Sequence, residues 1–240
     1  MNLSSSFSHA ASRITEATLD LLFPKQCYVC SRHGQFICDP CQKDLPRLRP
    51  PYCSLCAQPE KRMTRFCRHC QERPLEIDGV RAPFLMDGPL RNIVHALKYQ
   101  GLRALAQPMG HLMASYYLQE ELSAEVVVPV PLHPRKERER GYNQSALLAR
   151  AIGNSLGLPV EAQALRRVRN TPSQARSISS EERRVNVDKA FAAEATLVEG
   201  KCILLIDDVC TTGSTLEACA IALRDAGAST VWGLTLAREA

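Results

Sequence analysis

Cys202-Ile203-Leu204-Leu205-Ile206-Asp207-Asp208-Val209-Cys210-Thr211-Thr212-Gly213-Ser214-Thr215 is the stretch on which the reading of this 240-residue chain turns. From Cys202 to Ile206 the apolar run is unbroken, as a central parallel strand requires when both of its faces are covered. Asp207 and Asp208 follow at its carboxyl end, where open α/β sheets bind their ligands. Four hydroxyl residues, Thr211, Thr212, Ser214 and Thr215, then surround Gly213 in a turn. Ser214 with Glu217 reads as a capping box for a helix carrying Leu216, Cys219, Ala220 and Leu223.

Backbone N–H groups at such a helix start, joined by hydroxyls, form a nest for one phosphate. The turn lacks the Gly-Lys-Ser/Thr ending of a P-loop, and the two neighbouring carboxylates would repel a triphosphate. Carboxylates do accept hydrogen bonds from a cis-diol. The ligand predicted at Asp207, Asp208, Thr211, Thr212, Gly213, Ser214 and Thr215 is therefore a ribose with a 5′-phosphate. The order of strand, paired acids and loop resembles the phosphoribosyl pyrophosphate (PRPP) signature of type I phosphoribosyltransferases. That resemblance implies PRPP as ligand, with Mg2+ bridging its diphosphate and ribose oxygens.

Upstream of this stretch, the pattern from about residue 76 is that of an α/β domain. Gly79 to Met86 reads as a strand closed by Asp87-Gly88, followed by helices over Leu90 to Tyr99 and Leu102 to Gln119. Val126 to Val130 reads as a buried strand, Ser145 to Leu156 as a helix capped by Gly157, and Val231 to Leu236 as a last strand. Alternation of this kind predicts a largely parallel sheet with helices on both faces, like that of a type I phosphoribosyltransferase, over residues 76–240.

Further motifs extend the resemblance. Pro129-Val130-Pro131-Leu132-His133-Pro134, Arg138-Glu139-Arg140-Gly141-Tyr142-Asn143-Gln144, Arg169-Asn170-Thr171-Pro172-Ser173-Gln174, Glu182-Arg183-Arg184-Val185-Asn186 and Ala96-Leu97-Lys98-Tyr99-Gln100-Gly101 are similar to the competence protein F family. The match covers nearly the whole chain and implies a part in bacterial DNA uptake or use; some family members carry gluconate-related or amidophosphoribosyltransferase names. It also implies a pyrophosphate loop at Pro131 to Arg135, with Leu132, His133 and Arg135 as ligand contacts and Lys136, Arg138 and Arg140 adding charge. Arg169 to Asn186, polar and serine-rich, resembles the mobile loop that closes over substrate. Purine-salvage relatives acting on hypoxanthine or guanine carry an aspartate where Thr211 stands, so that activity is disfavoured. Only four residues follow Leu236, and any acceptor site is expected from the cysteine-rich front and Gly79 to Met86.

That front holds eight of the eleven cysteines, in four pairs of one spacing: Cys27/Cys30, Cys38/Cys41, Cys53/Cys56 and Cys67/Cys70. Each two-residue gap bends the chain into a knuckle that aims two thiolates at one ion, and two knuckles complete a tetrahedral cage. Four knuckles predict two structural Zn2+ ions in a double ribbon over residues 25–75. A disulfide framework needs an oxidising compartment, and iron–sulfur runs are spaced differently. Cys27, Cys30, Cys38 and Cys41 on one ion with Cys53, Cys56, Cys67 and Cys70 on the other is the simplest pairing, and an interleaved one uses the same spacings. Ahead of the ribbon, Ile14, Ala17, Leu21 and Leu22 share one face of a short docking helix within residues 1–24, ended by Pro24.

Composition bounds the function. With 45% hydrophobic residues the chain fills a core, which excludes a disordered protein, and a net charge of +5 permits an anionic partner. Residues 1–75 carry 11 basic side chains against 6 acidic, and residues 187–240 carry 4 against 8. Arg47, Arg49, Lys61, Arg62, Arg65 and Arg68 interleave the knuckles beside Phe66, a pattern suited to single-stranded nucleic acid. No stretch approaches the roughly 20 apolar residues of a membrane span, and the start is no secretory signal, so a cytoplasmic protein is expected. Two function classes remain: an enzyme moving phosphoribose to a nucleobase or ammonia, and a protein handling incoming single-stranded DNA, alongside DNA-uptake partners, whose transferase fold binds PRPP. The second is favoured, and no catalytic residue is assigned.

Overall fold

In a computed structural model, residues 24–62, 64–72, 75–168 and 190–240 are described. They fall into two compact units, Met1–Leu45 and Pro46–Ala240. The stripe of Ile14 to Leu22 and the Arg169 to Asn186 segment lie outside the described residues.

In the first unit, Cys27 N donates to Arg32 O (2.8 Å) and Ser31 N to Cys27 O (2.8 Å), which closes a knuckle through the left-handed Ser31 (φ 61°). Cys38 N donates to Cys27 Sγ (3.4 Å), and helix α1 (Asp39–Lys43) follows with Cys41 in it. The second quartet, inside the larger unit, repeats the plan. Cys53 N donates to Gln58 O (2.8 Å), Ala57 is left-handed (φ 56°), and Cys67 N donates to Cys53 Sγ (3.3 Å). Helix α2 (Arg68–Glu72) then carries Cys70.

Strands β1 (Gly79–Arg81) and β2 (Phe84–Leu85) occupy the stretch read from sequence as one strand. Pro83, without an N–H, stands at the break. After helices α3 (Gly88–Tyr99) and α4 (Ala106–Gln119) come β3 (Val126–Pro129), the short helix α5 (Pro134–Arg140) and α6 (Gln144–Leu156). Strands β4 (Leu165–Arg167) and β5 (Phe191–Ala193) form a small antiparallel pair, and α7 (Ala195–Val198) leads into β6 (Cys202–Cys210), α8 (Ser214–Asp225) and β7 (Thr230–Arg238).

The main sheet is five-stranded and parallel, in the order β1-β7-β6-β3 with β2 also on β7. Ile203 and Leu205 pack with Leu216, Cys219 and Leu223 of α8, and alternation turns Leu204 and Ile206 to the opposite face. All four are fully buried, which explains the unbroken apolar run. On α4, Gly110 permits close approach to α6: a Cβ there would lie 2.4 Å from Ala151 Cβ. The expected α/β sheet with its cysteine-rich module is thus the observed architecture. No helix among the described residues is long and apolar enough to cross a membrane.

Candidate functional site

Register places the paired acids. Pro129 of β3 lies opposite Ile206 of β6, and Val130 N donates to Ile206 O (2.9 Å), so the 131–133 loop leaves the sheet beside Asp207. Leu132 and His133 occupy that loop; His133 Nδ1 accepts from Arg135 N (3.2 Å) and caps α5. The exposed Arg135 pairs with Glu139 one turn on, at 2.9 Å. Among the described residues the cis peptide is Pro50-Pro51, and none falls in the proline-rich loop.

Two residues that the sequence did not assign to the site hold the acids. Ser145 Oγ donates to Asp207 Oδ1 (2.8 Å), and Ser145 is placed by Asn143, whose Oδ1 accepts from Ser145 N (3.0 Å) while its Nδ2 donates to Val130 O (3.0 Å). Lys98, at the end of α3, reaches Asp208 Oδ1 at 2.9 Å. Among the described residues, the buried Asp208 Oδ2 has no hydrogen-bond partner. The motif around Lys98 was visible in sequence, but its role needed the packing of α3 against the sheet.

At the 211–215 turn, Gly213 (φ 79°) takes the N-cap position of α8 without a side-chain cap. Thr212 Oγ1 lies 2.9 Å from Ser214 Oγ and accepts from Ser214 N (3.4 Å). The expected capping box is therefore absent: the Glu217 carboxylate instead accepts from Glu76 N (2.8 Å) and Ile77 N (3.3 Å). Burial first, and the negative charge of Asp208 second, push the Asp207 carboxyl up to about 7, against the hydrogen bonds from Ser145 and Asp208 N and the charge of Lys98.

That shift has a definite sign. Raised above the ordinary carboxylate value, the group favours its protonated form in the fold, so its contribution to stability falls as pH rises from the ordinary value through about 7. If the pair holds a diol, as expected from the sequence, the ionised form is the acceptor, and ribose 5-phosphate would then bind more tightly from pH 6 to 8, by up to about tenfold per unit. Titration calorimetry on wild type and Asp207→Asn separates this from the phosphate's own ionisation. The variant should keep only the phosphate's dependence, and parallel curves would exclude Asp207 from the diol contact.

Each cysteine quartet brings its four sulfur atoms within 4.8 Å of one another, in the sequential pairing: Cys27, Cys30, Cys38, Cys41 and Cys53, Cys56, Cys67, Cys70. Four thiolates at such spacing fit structural Zn2+. Among the described residues these are the groups of three or more His, Cys, Asp or Glu side chains placed to hold a metal ion. Of the three remaining cysteines, Cys202 is half-buried, while Cys210 and Cys219 are buried and burial pushes both thiols up.

Such a sheet, with paired acids ahead of a hydroxyl-rich turn, places the chain among phosphoribosyltransferase-domain proteins; the phosphoribosyl transferase domain family matches residues 142–239, and the double zinc ribbon domain family matches 18–71. DNA utilization protein YhgH of Salmonella typhimurium is 31% identical over 222 residues, covering 88% of this chain and 96% of that one. Competence protein F of Haemophilus influenzae is 30% identical over 210 residues, covering 84% and 90%. Competence protein ComFC of Bacillus subtilis is 27% identical over 214, covering 85% and 84%. The chain belongs to the competence protein F family. Glutamine PRPP amidotransferase from B. subtilis, solved with ADP and GMP, is similar over 55% of this chain and 26% of that one, at 24% identity and a TM-score of 0.40.

Proposed function

We propose that this protein binds PRPP, or ribose 5-phosphate, at Asp207, Asp208 and the 211–215 turn, and handles incoming single-stranded DNA in the cytoplasm during uptake or use. The observation that carries the ligand is the buried Asp208 Oδ2, without a partner among the described residues, since a carboxylate oxygen so placed at a sheet's ligand end calls for a donor such as a ribose hydroxyl. Mg2+ would supply charge neutralisation of the diphosphate. Leu132 and His133 stand on the loop beside Asp207, Arg135 follows in the first turn of α5, and the three would face the departing or bound pyrophosphate. On this reading residues 25–75 carry structural Zn2+, and 76–240 the PRPP site.

DNA handling is assigned to the second ribbon. A groove of ≈ 650 Å³ there is lined by Lys61, Arg62, Thr64, Phe66, Arg68 and Gln71, with Pro59 and Glu60 at one side. The Arg65 guanidinium lies 5.2 Å from the Phe66 ring centroid. Cations for phosphates beside an aromatic face for a base suit a single strand of any sequence. Charge reversal at Arg62, Arg65 and Arg68 should weaken binding of a labelled oligonucleotide, with the salt slope falling by about one unit per lost contact. Fluorescence anisotropy at two salt concentrations checks it. Wild-type binding by the triple variant would remove the ribbon from the DNA role, and pyrophosphate release on adding a nucleobase or ammonia would turn the reading to an active transferase.

A further inference from the structure

Arg238, the last residue of β7, is 3% exposed. Its guanidinium donates to carbonyls on both sides: Nε to Cys56 O (3.1 Å) in the second ribbon, Nη1 to Cys210 O (2.7 Å), to Thr211 O and to Glu239 O (3.1 Å), and Nη2 to the Gln58 side chain. No carboxylate forms a salt bridge with it among the described residues. One buried cation thus spans a metal-ligand knuckle and the entry of the 211–215 turn.

Other ties run the same way. The knuckle's preceding carbonyls are taken by the sheet, Leu55 O by Val80 N (2.6 Å) and Ser54 O by Arg81 Nη1 (2.8 Å). Cys56 and His69 share a crevice with Thr212, Gly213, Ser214 and Glu217. Glu217, in the first turn of α8, holds the backbone of residues 76 and 77, where the chain leaves the ribbon. With the thiolates free to part, the Cys56 carbonyl would lose its fixed place, and with it the fork that seats Cys210 and Thr211.

We infer that Arg238 is a positioning residue that couples the second four-cysteine site to the phosphate turn, so that metal at Cys53, Cys56, Cys67 and Cys70 and a phosphorylated ribose at 211–215 are bound cooperatively. This rests on the PRPP reading above. Coupling is reciprocal: if metal tightens the phosphorylated ligand, that ligand must retain the metal. A planar fork with several donors is also something lysine cannot reproduce, whereas lysine does restore a bare positive charge.

The test uses the full chain loaded with Zn2+. Saturating Mg-PRPP should slow chelator-driven release of one of two zinc ions in wild type, and calorimetry should give Arg238→Gln and Arg238→Lys an affinity lower by about fivefold to 150-fold, the usual range of such coupling. Cys56→Ser should lose affinity likewise, while Cys30→Ser, in the other unit, keeps it. Because the arginine variants can fail to fold, the zinc-release measurement on unaltered protein decides independently. Zinc release unmoved by bound PRPP, full rescue by lysine, or wild-type affinity in Cys56→Ser would each overturn the coupling while leaving the PRPP site intact. No PRPP binding by the wild type would overturn the reading and the coupling together.

Discussion

Replacing both acids, Asp207→Ala with Asp208→Ala, should lower Mg-PRPP affinity by at least about a hundredfold while the chain stays folded. Hydrogen bonds to a charged acceptor contribute about 1.5–3 kcal/mol each, and the substitution removes the acceptors for both ribose hydroxyls. Folding survives because the two carboxylates are a buried like-charge pair, so their loss relieves repulsion as well as removing contacts. Lys98 loses its partner but, with 21% of its side chain exposed, can turn to water. Calorimetry reads the affinity and a thermal melt reads the fold. Unchanged affinity in a folded double variant would place the ligand elsewhere.

Metal removal should have the other large effect. Metal analysis should return about two zinc ions per chain, and stripping them should unfold both cysteine modules, because structural zinc contributes about 10–16 kcal/mol of apparent binding energy in small ribbons. The ribbons have little else: the second quartet's own buried cluster is its four cysteines, with Leu55, Phe66 and Leu75 partly buried against them. Hydrogen exchange over residues 24–72 should therefore become fast on chelation, with eight thiols becoming titratable. Zinc-free protein with slow exchange there would show that the cages are not what holds these segments.

Strand β6 and its turn were legible because the determinants are local: a buried parallel strand must be apolar throughout, and its acids and hydroxyls follow within a few residues. The cysteine cages were legible for the same reason. Ser145, Lys98 and Arg238 were not, since each acts across a large sequence separation. Arg238 in particular ends a strand, where a charge ordinarily meets solvent, and only the placement of Cys56 and Gln58 buries it. The capping box failed for a related reason. Ser214 and Glu217 have the right spacing, but the left-handed Gly213 took the cap position and the Glu217 carboxylate found stronger demand at two N–H groups 140 residues away.

The contact of Val80 N with Leu55 O also bears on where the chain can be cut. Strand β1 lies at the margin of the sheet, and a marginal strand with free N–H groups is a template for pairing with another chain. The second ribbon shields that margin. A fragment starting after the last ribbon cysteine would bare it and strand the donors of Arg238, inviting self-association, whereas one starting at Pro46 would keep the shield in place.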